Sequence, residues 1–178
     1  MKGELTRWGL LVTAGLAAAY LLNWAVLEFL GERSPYRSEH GLAGTIFLVV
    51  YLWFNRGRLR APGPLPFLLV ALFPTYAGTA FPDLDIRLLG IGGHRNPLFH
   101  SALSYLALMW LVGRRGGFLR AALIGYGLGL GSHLLWDVVE YGDVRWLPGG
   151  TLDRLWLGVN GLVCFVPPRT KRRVASQL

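Results

Sequence analysis

Long apolar stretches separated by short polar segments make up most of this chain. Six of these stretches are long enough to form helices, and we interpret all six as helices. The second and the last are short for a bilayer of about 30 Å, which needs roughly 20 helical residues, so they require tilting, local thinning or incomplete spanning. The pattern predicts an all-α, polytopic membrane bundle of about six helices. The predicted helices cover residues 7–30, 40–54, 65–81, 97–112, 118–139 and 152–166.

The composition supports a membrane location. Of the 178 residues, 53% are hydrophobic and 16% are charged, which is too apolar for an ordinary soluble domain. A net charge of +8 is also compatible with nucleic-acid binding, but the basic residues form short clusters between apolar stretches. Such clusters indicate membrane topology, so we expect no nucleic-acid partner. Cys164 is the single cysteine, so no disulfide can form within the chain.

The chain is expected to form one membrane domain over residues 1–178. The charged start and the apolar stretch that follows are typical of a signal peptide, but the stretch continues to Leu30, which favours an uncleaved anchor helix. The segment 167–178 is interpreted as a solvated basic tail that fixes orientation; binding to anionic lipid is the alternative.

The distribution of Lys and Arg predicts the orientation, because cytoplasmic loops carry an excess of both residues. With the N-terminus inside, 12 of the 18 fall in inner segments and six in outer segments. This asymmetry favours a cytoplasmic position for both termini. The loops 31–39, 82–96 and 140–151 are then outside.

Seven histidine and aspartate side chains fall at the outer level of this topology, although only Lys and Arg were used to assign it. Such sets of nitrogen and oxygen donors bind divalent metals. Counting back from Val139 puts His133 only about 9 Å below the end of its helix, near the headgroup layer. The donors are His40, Asp83, Asp85, His94, His100, His133 and Asp137.

The donor motifs also have simpler structural interpretations. Asp83 and Asp85, after a proline, can form a turn rich in acceptors, although two carboxylates this close repel each other unless a cation lies between them. His133 and Asp137 are four residues apart, hence on one helix face, and can be a buried hydrogen-bonded pair. His40, at the start of the second helix, is ambiguous by itself.

Other residues around the donors carry predictions of their own. Asn96 and the following proline are expected to begin a helix with His100 on its second turn. Arg95 has a planar guanidinium that suits a phosphate or carboxylate beside a metal, or alternatively anchors to lipid headgroups. Glu140 is either a base near the site or an interfacial acid. Glycine at every second position from 125 to 131 predicts close helix packing, and tryptophans such as Trp156 indicate an aromatic belt.

Together these motifs resemble the YdjM-like family of membrane-bound, metal-dependent hydrolases. The resemblance covers residues 39–148 and includes an early His, Pro-Asp-x-Asp, His-Arg with a nearby His-Ser, and Gly-x-x-Ser-His-x-x-x-Asp. Ile86 stands where many members of that family have a histidine. The resemblance implies a protein of the prokaryotic inner membrane, with residues 39–148 as its metal-site core. The matching positions are His40, Asp83, Asp85, His94, Arg95, His100, His133 and Asp137.

The leading hypothesis is a membrane hydrolase that acts on a phosphoester of a lipid or lipid-linked substrate at the outer membrane interface. The seven donors would bind one or two divalent ions, zinc or manganese, and Arg95 would hold the phosphate. Asp137 or Glu140 would serve as the general base. Two alternatives remain open: a non-catalytic metal-binding or transport protein, and a structural or regulatory membrane partner.

Overall fold

The computed structural model describes residues 35–55, 63–112, 117–140, 142–145 and 147–168, together with three helical positions in the first apolar stretch. Most of the predicted first helix and nearly all of the predicted basic tail lie outside the described residues. The described part is all-helical and contains no strand, so the predicted all-α class is confirmed. Its helices are α1 (Pro35–Asn55), α2 (Pro64–Ala80), α3 (Leu84–Leu89), α4 (Leu103–Val112), α5 (Phe118–Glu140) and α6 (Thr151–Cys164).

Helices α2, α5 and α6 begin and end within two residues of the predicted bounds. Helix α1 begins earlier than predicted and has 21 residues. The expectation that this helix is short for a bilayer was therefore wrong, since roughly 20 helical residues are needed. Polar residues in its first turns hid the start, because the apolar pattern begins only at His40.

Helix α4 begins at Leu103, later than predicted, so His100 precedes the helix instead of lying on its second turn. The Asn96 side chain does accept a hydrogen bond from the Leu98 amide (2.9 Å), and His100 N–H reaches the Asn96 carbonyl (2.8 Å), which closes one turn. The turn does not continue because the Ala102 amide donates instead to the side chain of Asn160. His100 is thus held in a turn between helices.

Helix α3 lies in the segment 82–96, which the sequence indicated as a loop. Its first turn carries Asp85, which is fully buried, whereas Leu88 and Leu89 are exposed. The helix ends at Gly90, whose φ of 73° lies in the left-handed region that glycine adopts without strain. This short amphipathic helix therefore places the Asp85 carboxylate in the interior and leaves Leu88 and Leu89 exposed.

Helix α5 packs against α1, α2, α4 and α6. Its alternate glycines face two neighbours: a Cβ at Gly129 would overlap the Thr75 carbonyl of α2, and one at Gly127 would overlap the Cys164 carbonyl of α6. Gly125 repeats the α2 contact one turn earlier. The predicted close helix packing is confirmed, and it brings the backbones of α2 and α6 against the backbone of α5.

Only α5, among the described helices, is long and apolar enough to cross a membrane by length and composition. Of its most apolar window, 67% is buried inside the structure, as is also found for core helices of soluble proteins. Helices α2 and α4 are apolar but have 17 and 10 residues. The number of membrane spans is therefore treated as a proposal below.

Candidate metal centre

All four histidines of the chain lie in one cluster with three aspartates. The cluster consists of three groups of three residues, and within each group the candidate ligand atoms lie within 4.8 Å of one another. The structure thus brings together every donor singled out from the sequence. The inner group is His40, His133 and Asp137; the middle group is Asp83, His100 and His133; the outer group is Asp85, His94 and His100.

The inner group joins α1 to the end of α5. The imidazoles of His40 and His133 stack with a centroid distance of 4.0 Å. His133 Nε2 lies 3.4 Å from Asp137 Oδ2, so the predicted sharing of one helix face is confirmed. All three residues are buried, with exposures of 7%, 1% and 3%.

The orientation of His133 is set by the end of α2. Its Nδ1–H donates to the Thr79 carbonyl at 2.7 Å, and because a carbonyl only accepts, Nδ1 must carry the proton. In a neutral ring, Nε2 then presents a lone pair towards Asp137. A carbonyl partner on the far nitrogen is the usual arrangement for a metal-binding histidine.

The outer group is organised by Asp85 of α3. One carboxylate oxygen lies 3.0 Å from His94 Nδ1, and the other accepts the Asn96 amide at 3.0 Å and lies 3.3 Å from His100 Nδ1. Burial acts to raise the pKa of Asp85, but its two histidine contacts and the Asn96 amide outweigh burial and hold that pKa below its ordinary value. The carboxylate is therefore ionised although it is fully buried.

His100 lies between two carboxylates. Its Nε2 is 3.5 Å from Asp137 Oδ2, on the side opposite Asp85, and the ring is completely buried. Neither ring nitrogen makes a hydrogen bond of good geometry, and His40 Nδ1 also has no such partner. Burial lowers the pKa of His100. A neutral ring has one proton for two carboxylates, so one of its nitrogens faces a carboxylate with a lone pair, which is unfavourable unless a cation lies between them.

An open cleft of about 830 Å³ adjoins the outer group. His94 belongs to both the outer group and the wall of the cleft, and Arg95 and Glu140 line the same cleft. Glu140 is exposed and belongs to none of the three groups, whereas Asp137 is buried in the inner group. Of the two predicted bases, Glu140 is the one that faces the cleft.

Arg95 is tied to the loop that follows α5. It forms an ion pair with Asp143, and its carbonyl accepts a hydrogen bond from the Arg145 amide at 2.9 Å. Its φ of 62° lies in the left-handed region, which is uncommon for a residue with a side chain. Asp153 of α6 holds the same loop, because its Oδ2 accepts the Val144 amide at 3.0 Å.

Several residues that support the site were not predicted from the sequence. Thr79 orients His133 through a backbone carbonyl, for which the sequence carries no signal. Trp156, interpreted as part of an aromatic belt, donates its indole N–H to the His100 carbonyl at 2.9 Å. Asp153, Trp156 and Asn160 recur every three or four residues along α6, and this spacing of hydrogen-bonding side chains on a mostly apolar helix was the available signal.

Comparison with known proteins gives one result. A family model described as a domain of unknown function, DUF5942, matches residues 13–176. The chain belongs to this family. No curated protein and no solved structure matches the chain. The DUF5942 match carries no activity, so the resemblance to YdjM-like hydrolases stays a prediction.

Proposed function

We propose that this DUF5942 protein is a metal-dependent hydrolase embedded in a prokaryotic inner membrane. Its substrate is a phosphoester of a lipid or a lipid-linked molecule, cleaved at the outer interface. Both termini are cytoplasmic, and the described helices form part of a polytopic bundle. The charge asymmetry of the loops supports this orientation. Helix α5, with 23 residues at about 1.5 Å each, is long enough to cross the hydrocarbon core.

One observation carries the proposal: a buried His100 stands between two carboxylates with neither nitrogen in a good hydrogen bond. Such unpartnered polar atoms are costly inside a protein. A divalent cation coordinated by the cluster would remove this energetic cost, since it accepts lone pairs from the imidazole nitrogens and balances the negative charge of the carboxylates. Mixed histidine and carboxylate ligands suit zinc and manganese.

The cleft favours hydrolysis of an anionic substrate beside that metal. A bound divalent ion supplies Lewis acidity, which activates water and polarises a phosphoryl oxygen. Arg95 lies next to His94 in the cleft, where its guanidinium can bind a phosphate while Asp143 fixes its position. Glu140, on the same cleft wall, accepts the proton of the attacking water. Ile91, 75% exposed at the cleft, offers an apolar contact for an acyl chain.

The decisive experiment measures turnover by purified protein in mixed micelles of detergent and lipid, loaded with zinc or manganese. Substrates are phosphatidic acid, phosphatidylglycerol and a polyprenyl phosphate, and the readout is released phosphate or headgroup. The inactive variant carries His100→Ala with His133→Ala. Its matched control carries Ser101→Ala with Ser132→Ala, which removes the buried hydroxyl beside each histidine. Hydrolysis by wild type and control, but not by the histidine variant, is the expected result.

The same cluster supports a second candidate, a non-catalytic metal-binding or transport protein, because its inner group is almost fully buried. Metal-loaded, folded protein that hydrolyses none of the three substrates would favour this candidate over the hydrolase.

A further inference from the structure

We propose that the cluster binds two ions in unequal positions: a buried inner ion held by His40, His133 and Asp137, and an outer ion held by Asp85, His94 and His100. The inner ion is retained, and the outer ion exchanges through the cleft. This inference rests on the proposed metal centre. Its charge argument also uses the proposed anionic ligand in the cleft, but none of its arguments requires hydrolysis.

The composition of the three groups gives the first argument. The inner and outer groups have no residue in common, whereas the middle group shares His133 with the first and His100 with the second. His133 has only Nε2 available, because Nδ1 donates to the Thr79 carbonyl. His133 therefore cannot bind one ion at the inner position and another at the middle position through different ring nitrogens. Filling the inner and outer positions uses each of the four histidines once.

The carboxylates give the second argument. Asp137 Oδ2 lies 3.4 Å from His133 Nε2 and 3.5 Å from His100 Nε2, so it stands between the two positions. The ligand atom of Asp83 lies within 4.8 Å of those of the same two histidines. Carboxylates placed between two cations reduce their mutual repulsion, as in two-metal sites with ions about 3.5–4 Å apart. Asp83 and Asp137 therefore suit bridging positions.

Charge favours the same occupancy. The cluster contains three aspartates, and with neutral histidines a single divalent ion leaves it with a net negative charge that repels an anionic substrate. Two divalent ions make the cluster positive. This balance suits the binding of a phosphate next to Arg95 in the cleft.

Exposure separates the two positions. The inner ligands are at most 7% exposed. In the outer group Asp85 and His100 are fully buried, but the His94 side chain is 24% exposed and lines the cleft, so the opening is at His94. An ion at the outer position is therefore in contact with solvent through the cleft, while an ion at the inner position can leave only if buried side chains move.

Metal stoichiometry tests the assignment. Wild type, His40→Ala, His94→Ala and the double variant are dialysed against zinc chloride in detergent, and bound zinc per protein is measured by elemental analysis. We expect about two equivalents in wild type, one in each single variant and none in the double variant. Thr45→Val, five residues from His40 on α1, is the matched control for a buried polar residue and should bind two. Circular dichroism and gel filtration restrict the comparison to folded protein.

Other stoichiometries identify which proposal fails. One equivalent in wild type and in both single variants overturns the two-ion assignment and favours the middle position of Asp83, His100 and His133. No zinc in folded wild type overturns the metal centre and the proposed hydrolase together. Two equivalents without phosphoester turnover support this inference and reject only the hydrolase.

Release kinetics test which position is open. After addition of a chromogenic chelator, wild type should release zinc in a fast and a slow phase of equal amplitude. His94→Ala should lose the fast phase and His40→Ala the slow one. A single phase in wild type, or the opposite assignment in the variants, would overturn the distinction between a retained inner ion and an exchangeable outer ion.

Discussion

The two halves of helix α5 differ both in their neighbours and in the chemistry of their contacts. From Ala121 to Gly131, glycines and apolar residues pack directly on the backbones of α2 and α6. From Ser132 to Asp137, the buried positions include polar and ionisable side chains that meet residues of α1, the end of α2, and the turns before α3 and α4. The first half fixes the distances between helices. The second half carries the candidate metal ligands, whose positions depend on those distances.

The connection between the halves is one turn long. Gly129 lies against Thr75 and Thr79, and His133, four residues later, donates to the Thr79 carbonyl at 2.7 Å. A larger residue at Gly129 would move α2 away and lengthen that bond. Close packing at Gly129 thus sets the orientation of a candidate metal ligand. This role is more specific than the general role of glycine in helix association.

The largest expected effect comes from the polar half. His100→Ala with His133→Ala removes a ligand from each of the three groups, so it should abolish metal binding whether the cluster holds one ion or two. Affinity should fall by about 100-fold or more, because even supporting residues of metal sites typically contribute 10- to 100-fold. Equilibrium dialysis against zinc measures the change. The variant Ser101→Ala with Ser132→Ala should bind zinc as wild type does, and retention of zinc by the folded histidine variant would exclude the cluster as the site.

The next prediction concerns the stability provided by the packing half of α5, from Ala121 to Gly131. Gly129→Ala places a methyl group against the Thr75 carbonyl, and we expect a loss of roughly 2 kcal/mol, since overpacking typically costs 1–3 kcal/mol. The thermal midpoint should fall by about 5 °C, and zinc affinity should fall as well because His133 loses its orientation. Gly125→Ala meets the Ala71 carbonyl one turn earlier and should lower the midpoint with a smaller effect on zinc.

Gly92→Ala is the matched control for these two substitutions. No atom lies within 4 Å of a Cβ built at Gly92, and no left-handed φ is recorded there. Neither stability nor zinc affinity should change. Equal effects of Gly125→Ala and Gly129→Ala on zinc affinity would contradict the proposed link between the Gly129 contact and His133.

The same contrast explains what the sequence could predict. The apolar stretches and the spacing of glycines are local patterns, so they predicted the bounds of α2, α5 and α6 closely. The set of donors was predictable because charged and imidazole groups are rare in apolar segments and their positions along six helices could be compared. His133 and Asp137 needed only the period of a helix.

What the sequence did not predict depends on contacts between distant segments. The start of α4 is set by the Ala102 amide, which turns to Asn160 of α6, 58 residues away. Helix α3 has six residues, too few for a periodic pattern. The division of the donors into three groups depends on which ring nitrogen of His133 meets the Thr79 carbonyl, and on the position of His100 between Asp85 and Asp137.

An effect on catalysis alone, without loss of metal or of stability, is expected in the cleft beyond the polar end of α5. Arg95→Lys keeps a charge that can pair with Asp143 but loses the bidentate guanidinium, so hydrolysis should fall while zinc content stays constant. A transition-state contact of this kind contributes roughly 2–4 kcal/mol, or about 30- to 1000-fold in kcat/KM. The left-handed backbone is equally unfavourable for both residues, so strain does not change. Arg145→Lys, on the same cleft, is the control, and equal losses in both variants would remove Arg95 from the mechanism.

The smallest effect, on neither stability nor activity, is expected from labels that report which side of the membrane each end of α5 faces. The proposed topology puts its first residue, Phe118, inside and the cleft beyond Glu140 outside. Phe118 is 60% exposed, and Gly92 lies exposed in the cleft with room for a side chain. In intact cells an impermeant thiol reagent should label Gly92→Cys, and it should label Phe118→Cys only after permeabilisation. Cys164 is buried and gives little background.

Gly142 is a poor probe, because a Cβ there would overlap Arg154. Labelling of both positions from outside would mean that α5 does not span the membrane, and labelling of Phe118→Cys alone would invert the orientation; in either case the two halves of α5 would still differ in packing, but the metal centre would no longer face the outer leaflet.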